Sequence, residues 1–197
     1  MRFVSPNDPI LLSVAQGVPI EAIQSDSIQK IIDHMLEVSQ GERKEKRMVG
    51  LAAPQVGIPL RIICVDTHIT QERMDFSPPL DVFINPHISW YSEEMELFRE
   101  GCFSTGHFAG IVPRSKEIRA NAYDRKGNRL ELSLEGYTAR IFQHEVDHLN
   151  GLRFPDRITN PSHLHWVDPE KVEEHRAHYD NWPHTRTKEE WLSYIAK

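Results

Sequence analysis

Tyr137-Thr138-Ala139-Arg140-Ile141-Phe142-Gln143-His144-Glu145-Val146-Asp147-His148-Leu149-Asn150-Gly151 is the stretch that organises this chain. Ile141, Val146 and Leu149 recur with His144 and His148 at helical spacing, and Gly151 can supply a left-handed stop, so the pattern predicts a helix over 137–150. Residues four apart share one face of a helix, so both histidines can reach one cation, with imidazole nitrogen about 2.0–2.1 Å from a zinc ion. Glu145 then stands beside any water the cation holds. A metal brings the pKa of such a water from about 15.7 to about 7, and a neighbouring carboxylate can take its proton and return it to a leaving amine. That is the chemistry of amide hydrolysis. Asp147 points away from the face of His144 and His148 and reads as a salt-bridge partner.

A catalytic site needs a third protein ligand and one open position. A metzincin-type protease would place a histidine at position 154, where this chain has Phe154. A gluzincin-type protease would use Glu170, Glu173 or Glu174, which read equally as a solvated helix face. Cys102, in Glu100-Gly101-Cys102-Phe103-Ser104, remains: glycine lets the backbone approach something closely and the thiolate is a soft ligand. An inert cysteine, or a Cys/His nucleophile, are the other readings of Cys102. Cys64, inside Ile62-Ile63-Cys64-Val65, reads as a small core residue.

Outward from this region, Ile28, Ile31, Ile32, Met35 and Leu36 predict an amphipathic helix from Ser25 to Gln40, with Ser25 or Asp26 as cap and Gly41 just past its end. A basic link, Arg43 to Arg47, follows, and the Gly- and Pro-containing stretch Gly50 to Gly57 predicts a shaped loop. Leu60–Val65 and a short run around Val82–Asn85 predict strands, separated by a surface excursion from Thr67 to Pro79. Ile118–Asp124 and Arg129–Leu134 alternate about Arg125-Lys126-Gly127-Asn128, a hairpin signal, and further extended structure should lead into Glu100. Beyond Pro155 the tail is polar, with helix starts at Asp168-Pro169 and Thr187-x-x-Glu190. The pattern as a whole predicts an α+β core followed by a helical appendage.

The composition, 39% apolar and 26% charged over 197 residues, suits one globular unit. A net charge of −6 offers no field for a polyphosphate, which argues against a dedicated DNA reader. Two cysteines suggest a reducing compartment rather than a disulfide scaffold, and no run reaches membrane-spanning length. A cytosolic protein is expected. His163, His165, His175, His178 and His184 in the tail read as surface histidines, and Trp166, Trp182 and Trp191 as packing the appendage or facing a partner.

Three segments, Gly50-Leu51-Ala52-Ala53-Pro54-Gln55, Glu100-Gly101-Cys102-Phe103-Ser104 and Gln143-His144-Glu145-Val146-Asp147-His148, coincide in order and rough spacing with the signature motifs of peptide deformylases. The chain resembles that family through residues 1–155, more weakly across Ile111-Val112-Pro113-Arg114 and the hairpin. The resemblance implies antiparallel sheets around a central metal-binding helix, with 1–155 as the catalytic domain and 156–197 as a C-terminal helical extension packed on it or trailing from it. It implies Cys102, His144 and His148 as metal ligands and Glu145 as the proton-handling base. It also implies Gln55 and the backbone N–H of Phe103 as donors to the oxyanion, and Val49, Gly50, Gly101, Tyr137 and Arg140 as substrate groove. One divalent ion is implied, Fe(II) natively, with zinc, nickel or cobalt able to substitute. The implied substrate is the N-formylmethionyl nascent peptide, deformylated to release formate in a bacterial-type cytoplasm; in some members the C-terminal helix contacts the ribosome.

Departures from the family pattern stand at Met48, where a glycine is usual, and at Ala109, in place of a substrate-contacting arginine. Tyr137 and Arg140 replace groove residues that are often aliphatic, and Glu100 with Arg114 could form a brace behind the ligands. Two competing readings are an H-E-x-x-H metallopeptidase and a non-catalytic metal-binding member of the family.

Overall fold

Helix α2, Gly136–Leu149, forms where the histidine pair predicts it. It ends in a Schellman motif: Leu152 N–H donates to the Asp147 carbonyl at 2.9 Å and Gly151 N–H to that of His148 at 3.3 Å. Gly151 has φ +71°, and a Cβ there would meet the Leu12 carbonyl, so only glycine suits the stop. The computed structural model describes residues 3–46, 48–69 and 79–196, without the side chains of 42–46.

Two antiparallel sheets surround this helix. One has the order β1-β2-β3-β6-β7, built from Gly50–Ala52, Ile62–Val65, Asp81–Tyr91, Glu117–Tyr123 and Arg129–Glu135. The other has the order β4-β5-β8, from Met95–Gly101, Phe108–Ser115 and Leu164–Trp166. Helix α1, Asp26–Lys46, and the short α3, α4 and α5, Phe154–Arg157, Val172–His178 and Lys188–Ile195, complete the fold. The expected α+β architecture is the one observed.

Strand β2 is buried at every position because helices cover both its faces, and its side chains alternate between two cores. Ile62 and Cys64 join Ile28, Ile32, Met35 and Leu51 on the α1 side. Ile63 and Val65 join Ala52, Phe142, Val146 and Leu149 on the α2 side. Cys64 is therefore a core residue, and burial pushes its thiol far above the ordinary range, with Glu145 adding to the rise. On β7, Leu130, Leu132 and Leu134 turn to the core while the residues between them face outward.

Three sequence expectations need correction. Helix α1 runs through Gly41 to Lys46 instead of stopping, because the good helix formers that follow outweigh one glycine's cost of about 1 kcal/mol. The stretch Gly50–Gly57 is a three-residue edge strand followed by a 3₁₀ turn over Ala53–Val56, closed by Gly57 at φ +80°. Strand β3 continues past Asn85 and Pro86 to Tyr91 through a register shift. Asn85 takes φ +51°, and its amide accepts from Val18 N–H and donates to Val18 O, which holds the irregularity in place. Residues 70–78, most of the predicted excursion, lie outside the described residues.

Candidate metal centre

Cys102 follows the end of β4, while His144 and His148 project from successive turns of α2. Their ligand atoms all lie within 4.8 Å of one another, and among the described residues no other such cluster occurs. Cys102 Sγ is 3.3 Å from His148 Nε2. His144 Nδ1 donates to Glu100 Oε2 at 2.8 Å, which leaves its Nε2 for a cation. Burial opposes charge on His144, yet its bonds to Cys102 and Glu100 hold its pKa well above the ordinary value. Burial and the neighbouring His144 push His148 well below it. A cation would replace the proton that His144 otherwise shares with the sulfur. One sulfur and two imidazoles within reach of one point, with Glu145 Oε2 beside them buried without a partner among the described residues, fit one divalent ion.

Glu145 is 4% exposed and faces the edge strand β1. A Cβ on Gly50 would collide with its carboxylate, so this glycine is what admits Glu145 to the centre. Burial pushes the Glu145 carboxyl up to about 7; Glu100 adds to the rise and His144 opposes it.

Gln55, on the 3₁₀ turn, is oriented by its own strand: Ala52 N–H donates to its Oε1 at 2.8 Å. Its Nε2 then points to Cys102 Sγ at 3.3 Å and Ser104 Oγ at 3.1 Å. The amide N–H₂ thus lies beside the ligand cluster with its orientation fixed. Phe103 begins the 3₁₀ turn after Cys102 and stacks on Phe3 at 4.8 Å between ring centroids.

Behind the ligands lies a buried ion network. Glu100 Oε1 accepts from Arg114 Nε at 3.0 Å and Arg140 Nη1 at 2.8 Å, and Oε2 from Arg114 Nη2 at 3.0 Å as well as from His144. Burial alone would raise the Glu100 carboxyl, but Arg114 and His144 hold it well below the usual carboxylate range. Arg114 also pairs with Asp147, which in turn binds Arg157. The Glu100–Arg114 brace and the pairing role of Asp147 are thus present in the structure.

The groove candidates divide. Gly101 is exposed with open space at its Cα, Val49 and Gly50 lie at the β1 edge, and Tyr137 is half-buried against Phe98 at 6.0 Å. Arg140 does not line an open groove: it is 2% exposed and donates to Glu100, to Val112 O and to Glu96 O. Met48 is likewise buried in the α1 core, and Ala109 sits under Val167 and Trp182 of the tail. Sequence reasoning missed Ser104, which fixes Gln55, and Arg153 and Arg157. Ser104 stood inside a quoted motif; the two arginines carried no pattern that could have marked them.

A sequence model of the family described as polypeptide deformylase matches residues 1–163. Among curated relatives, peptide deformylase 1A, chloroplastic, of Solanum lycopersicum is 37% identical over 167 residues, covering 79% of this chain and 58% of that protein. The corresponding chloroplastic/mitochondrial protein of Arabidopsis thaliana is 39% identical, with 61% of its length covered, so the chain spans about three fifths of these two relatives. Peptide deformylase 1 of Bordetella pertussis is 40% identical over 159 residues, covering 77% of this chain and 83% of the relative. The Met-Ala-Ser-bound crystal structure of a class I type b peptide deformylase from Acinetobacter baumannii superposes with TM-score 0.70 at 34% identity, over 80% of this chain and 98% of that one. With a family model matching residues 1–163, relatives well above 30% identity and a shared fold, the chain belongs to the peptide deformylase family.

Proposed function

We propose that this protein is a metal-dependent hydrolase that removes the formyl group from the N-terminal formylmethionine of new polypeptides and releases formate. The observation that carries this reading is the convergence of Cys102, His144 and His148 with a buried, half-unpartnered Glu145 and an oriented Gln55 amide. Cys102, His144 and His148 would hold the ion, Fe(II) in the native protein with zinc, nickel or cobalt as substitutes. The bound ion supplies Lewis acidity, the means of making water nucleophilic near neutral pH.

Glu145 acts as the base that takes the proton of the attacking water and then delivers it to the departing amine nitrogen. Burial raises its pKa above the ordinary carboxylate value, which favours its holding the proton between the two halves of that exchange. Gln55 Nε2 and the backbone N–H of Phe103 donate to the formyl oxygen as negative charge develops on it. The substrate lies across Val49, Gly50, Gly101 and Tyr137, between the edge strands β1 and β4; Arg140 braces Glu100 from behind. The partners are N-formylmethionyl nascent chains and, as their source, the ribosome, in a bacterial-type cytosol. Among the described residues no helix is long and apolar enough to cross a membrane.

The test compares formyl-Met-Ala-Ser with unblocked Met-Ala-Ser on anaerobically prepared Fe(II) protein. The expected outcome is formate release from the formyl peptide alone, abolished by a chelator and restored by added metal. Cleavage of the Met-Ala bond in the unblocked peptide would point instead to a metallopeptidase.

A further inference from the structure

Helix α5 lies outside the residues that the family model matches, yet its apolar face reaches the two segments flanking the metal ligands. It starts with a capping box, Thr187 Oγ1 accepting from Glu190 N–H and Glu190 accepting from Thr187 N–H, and it buries Trp191 completely. The Trp191 ring lies 4.6 Å from the Arg153 guanidinium carbon and edge-on to Phe108 at 5.2 Å. Tyr194 packs on Phe108 at 5.3 Å, and its hydroxyl fills the space that a side chain on Gly106 would need.

The first flanking segment is the turn that begins at Cys102. Thr105 N–H donates to Cys102 O at 3.2 Å, and Thr105 Oγ1 lies 2.9 Å from that oxygen and 3.2 Å from Phe108 O. This ties the ligand to Phe108, on which Trp191 and Tyr194 rest. The second segment is Arg153-Phe154, just beyond the stop of α2. The Phe154 ring stacks over that of His144 at 6.4 Å and shares an apolar cluster with Trp191 and Cys102. Arg153 is 1% exposed; its Nη1 donates to Pro6 O at 2.5 Å and its Nε has no partner among the described residues, so the π-face of Trp191 is a main part of what steadies the guanidinium.

We propose that Trp191 is a positioning residue of the metal centre: α5 clamps the Cys102 turn against the Arg153-Phe154 segment and so fixes the thiolate relative to His144 and His148. The inference rests on the reading that these three residues bind a metal. Loss of the ring leaves a cavity of aromatic size beside both segments and a guanidinium held only from the side of Pro6 and Asp156, and a ligand that drifts by about half an ångström no longer meets the geometry a metal site requires.

The test uses the full chain loaded anaerobically with Co(II), read by its thiolate-to-metal charge-transfer absorption and by competition with a chelator. Trp191→Ala should lower metal affinity by about 10–100-fold, the range for residues that support ligands from outside, and alter the band. Trp191→Phe, which keeps a ring over Arg153, should restore most of both, and Leu192→Ala, at an exposed position of the same helix, should match the parent. A folded Trp191→Ala protein with the parent's affinity and band, whatever its melting temperature, would overturn the proposal. Should that variant not fold, Trp191→Leu takes its place, and parental affinity in it overturns the proposal equally. A parent that binds Co(II) without a thiolate band would overturn the metal reading itself, and this inference with it.

Discussion

Gly50 and Glu145 leave each other no spare room, because any Cβ at position 50 would enter the space of the carboxylate. Gly50→Ala should therefore lower kcat while metal content stays at one ion per chain, a split that metal analysis beside steady-state kinetics reads directly; unchanged kcat would show that Glu145 is not constrained there. Gln55→Ala should cost about 10²–10³ in kcat with a smaller change in KM, as expected for a donor whose bond strengthens as charge develops. The histidine pair and Glu145 were legible from helical spacing, and Cys102 and Gln55 from the resemblance of their segments to the family's motifs. The support around them was not: Ser104 meets Gln55 only because two segments far apart in sequence come together, and the Ala52 N–H reaches Gln55 Oε1 only once the 3₁₀ turn has formed.

Between elements, Glu100, Arg114, Arg140, Asp147 and Arg157 tie β4, β5, α2 and α3 together in one buried network. Arg114 bridges two carboxylates, so Arg114→Met should leave both short of charge and destabilise the fold by about 3–5 kcal/mol. Arg140→Met should cost less, because Glu100 keeps Arg114 and His144 as partners. Chemical denaturation of both variants checks the order, and a larger loss from Arg140→Met would contradict it. The hairpin β6-β7 and helix α2 were readable from periodicity. The true end of α1 and the continuation of β3 were not, since propensity beyond Gly41 and the Asn85–Val18 bonds override the local stop signals.

Across the whole molecule, the tail is packed, and two of its histidines, expected at the surface, are buried. His165 and His175 are each 1% exposed and joined by a hydrogen bond of 2.9 Å. His165 Nε2 donates to Ser162 O, so its Nδ1 accepts from His175 Nε2, an arrangement that needs the His165 ring neutral. Burial lowers both pKa values, that of His175 to about 4, with His165, Arg99 and Arg176 adding to the effect. An undocked tail would hold these histidines near about 6.5 and bind more protons than the docked one between that value and 4. The two histidines therefore favour docking fully above about pH 6.5, and this contribution is lost as pH falls toward 4. Hydrogen exchange over residues 164–184 at pH 7 and pH 5 should show less protection at the lower value; equal protection would contradict this. Irregular spacing hid these contacts from the sequence, because a segment without periodicity gives no sign of which face it buries.

In the proposed reaction Glu145 moves the proton of a metal-assisted deformylation at this site. Formate release from formyl-Met-Ala-Ser, measured for the anaerobic Fe(II) protein beside its Glu145→Ala variant at matched metal content, tests it most directly. Release by the parent and a loss of at least about 10²-fold in the variant are expected, the lower end of what a positioned acid–base group contributes. Equal rates from the two proteins, or no release from a parent carrying a full complement of metal, would contradict it.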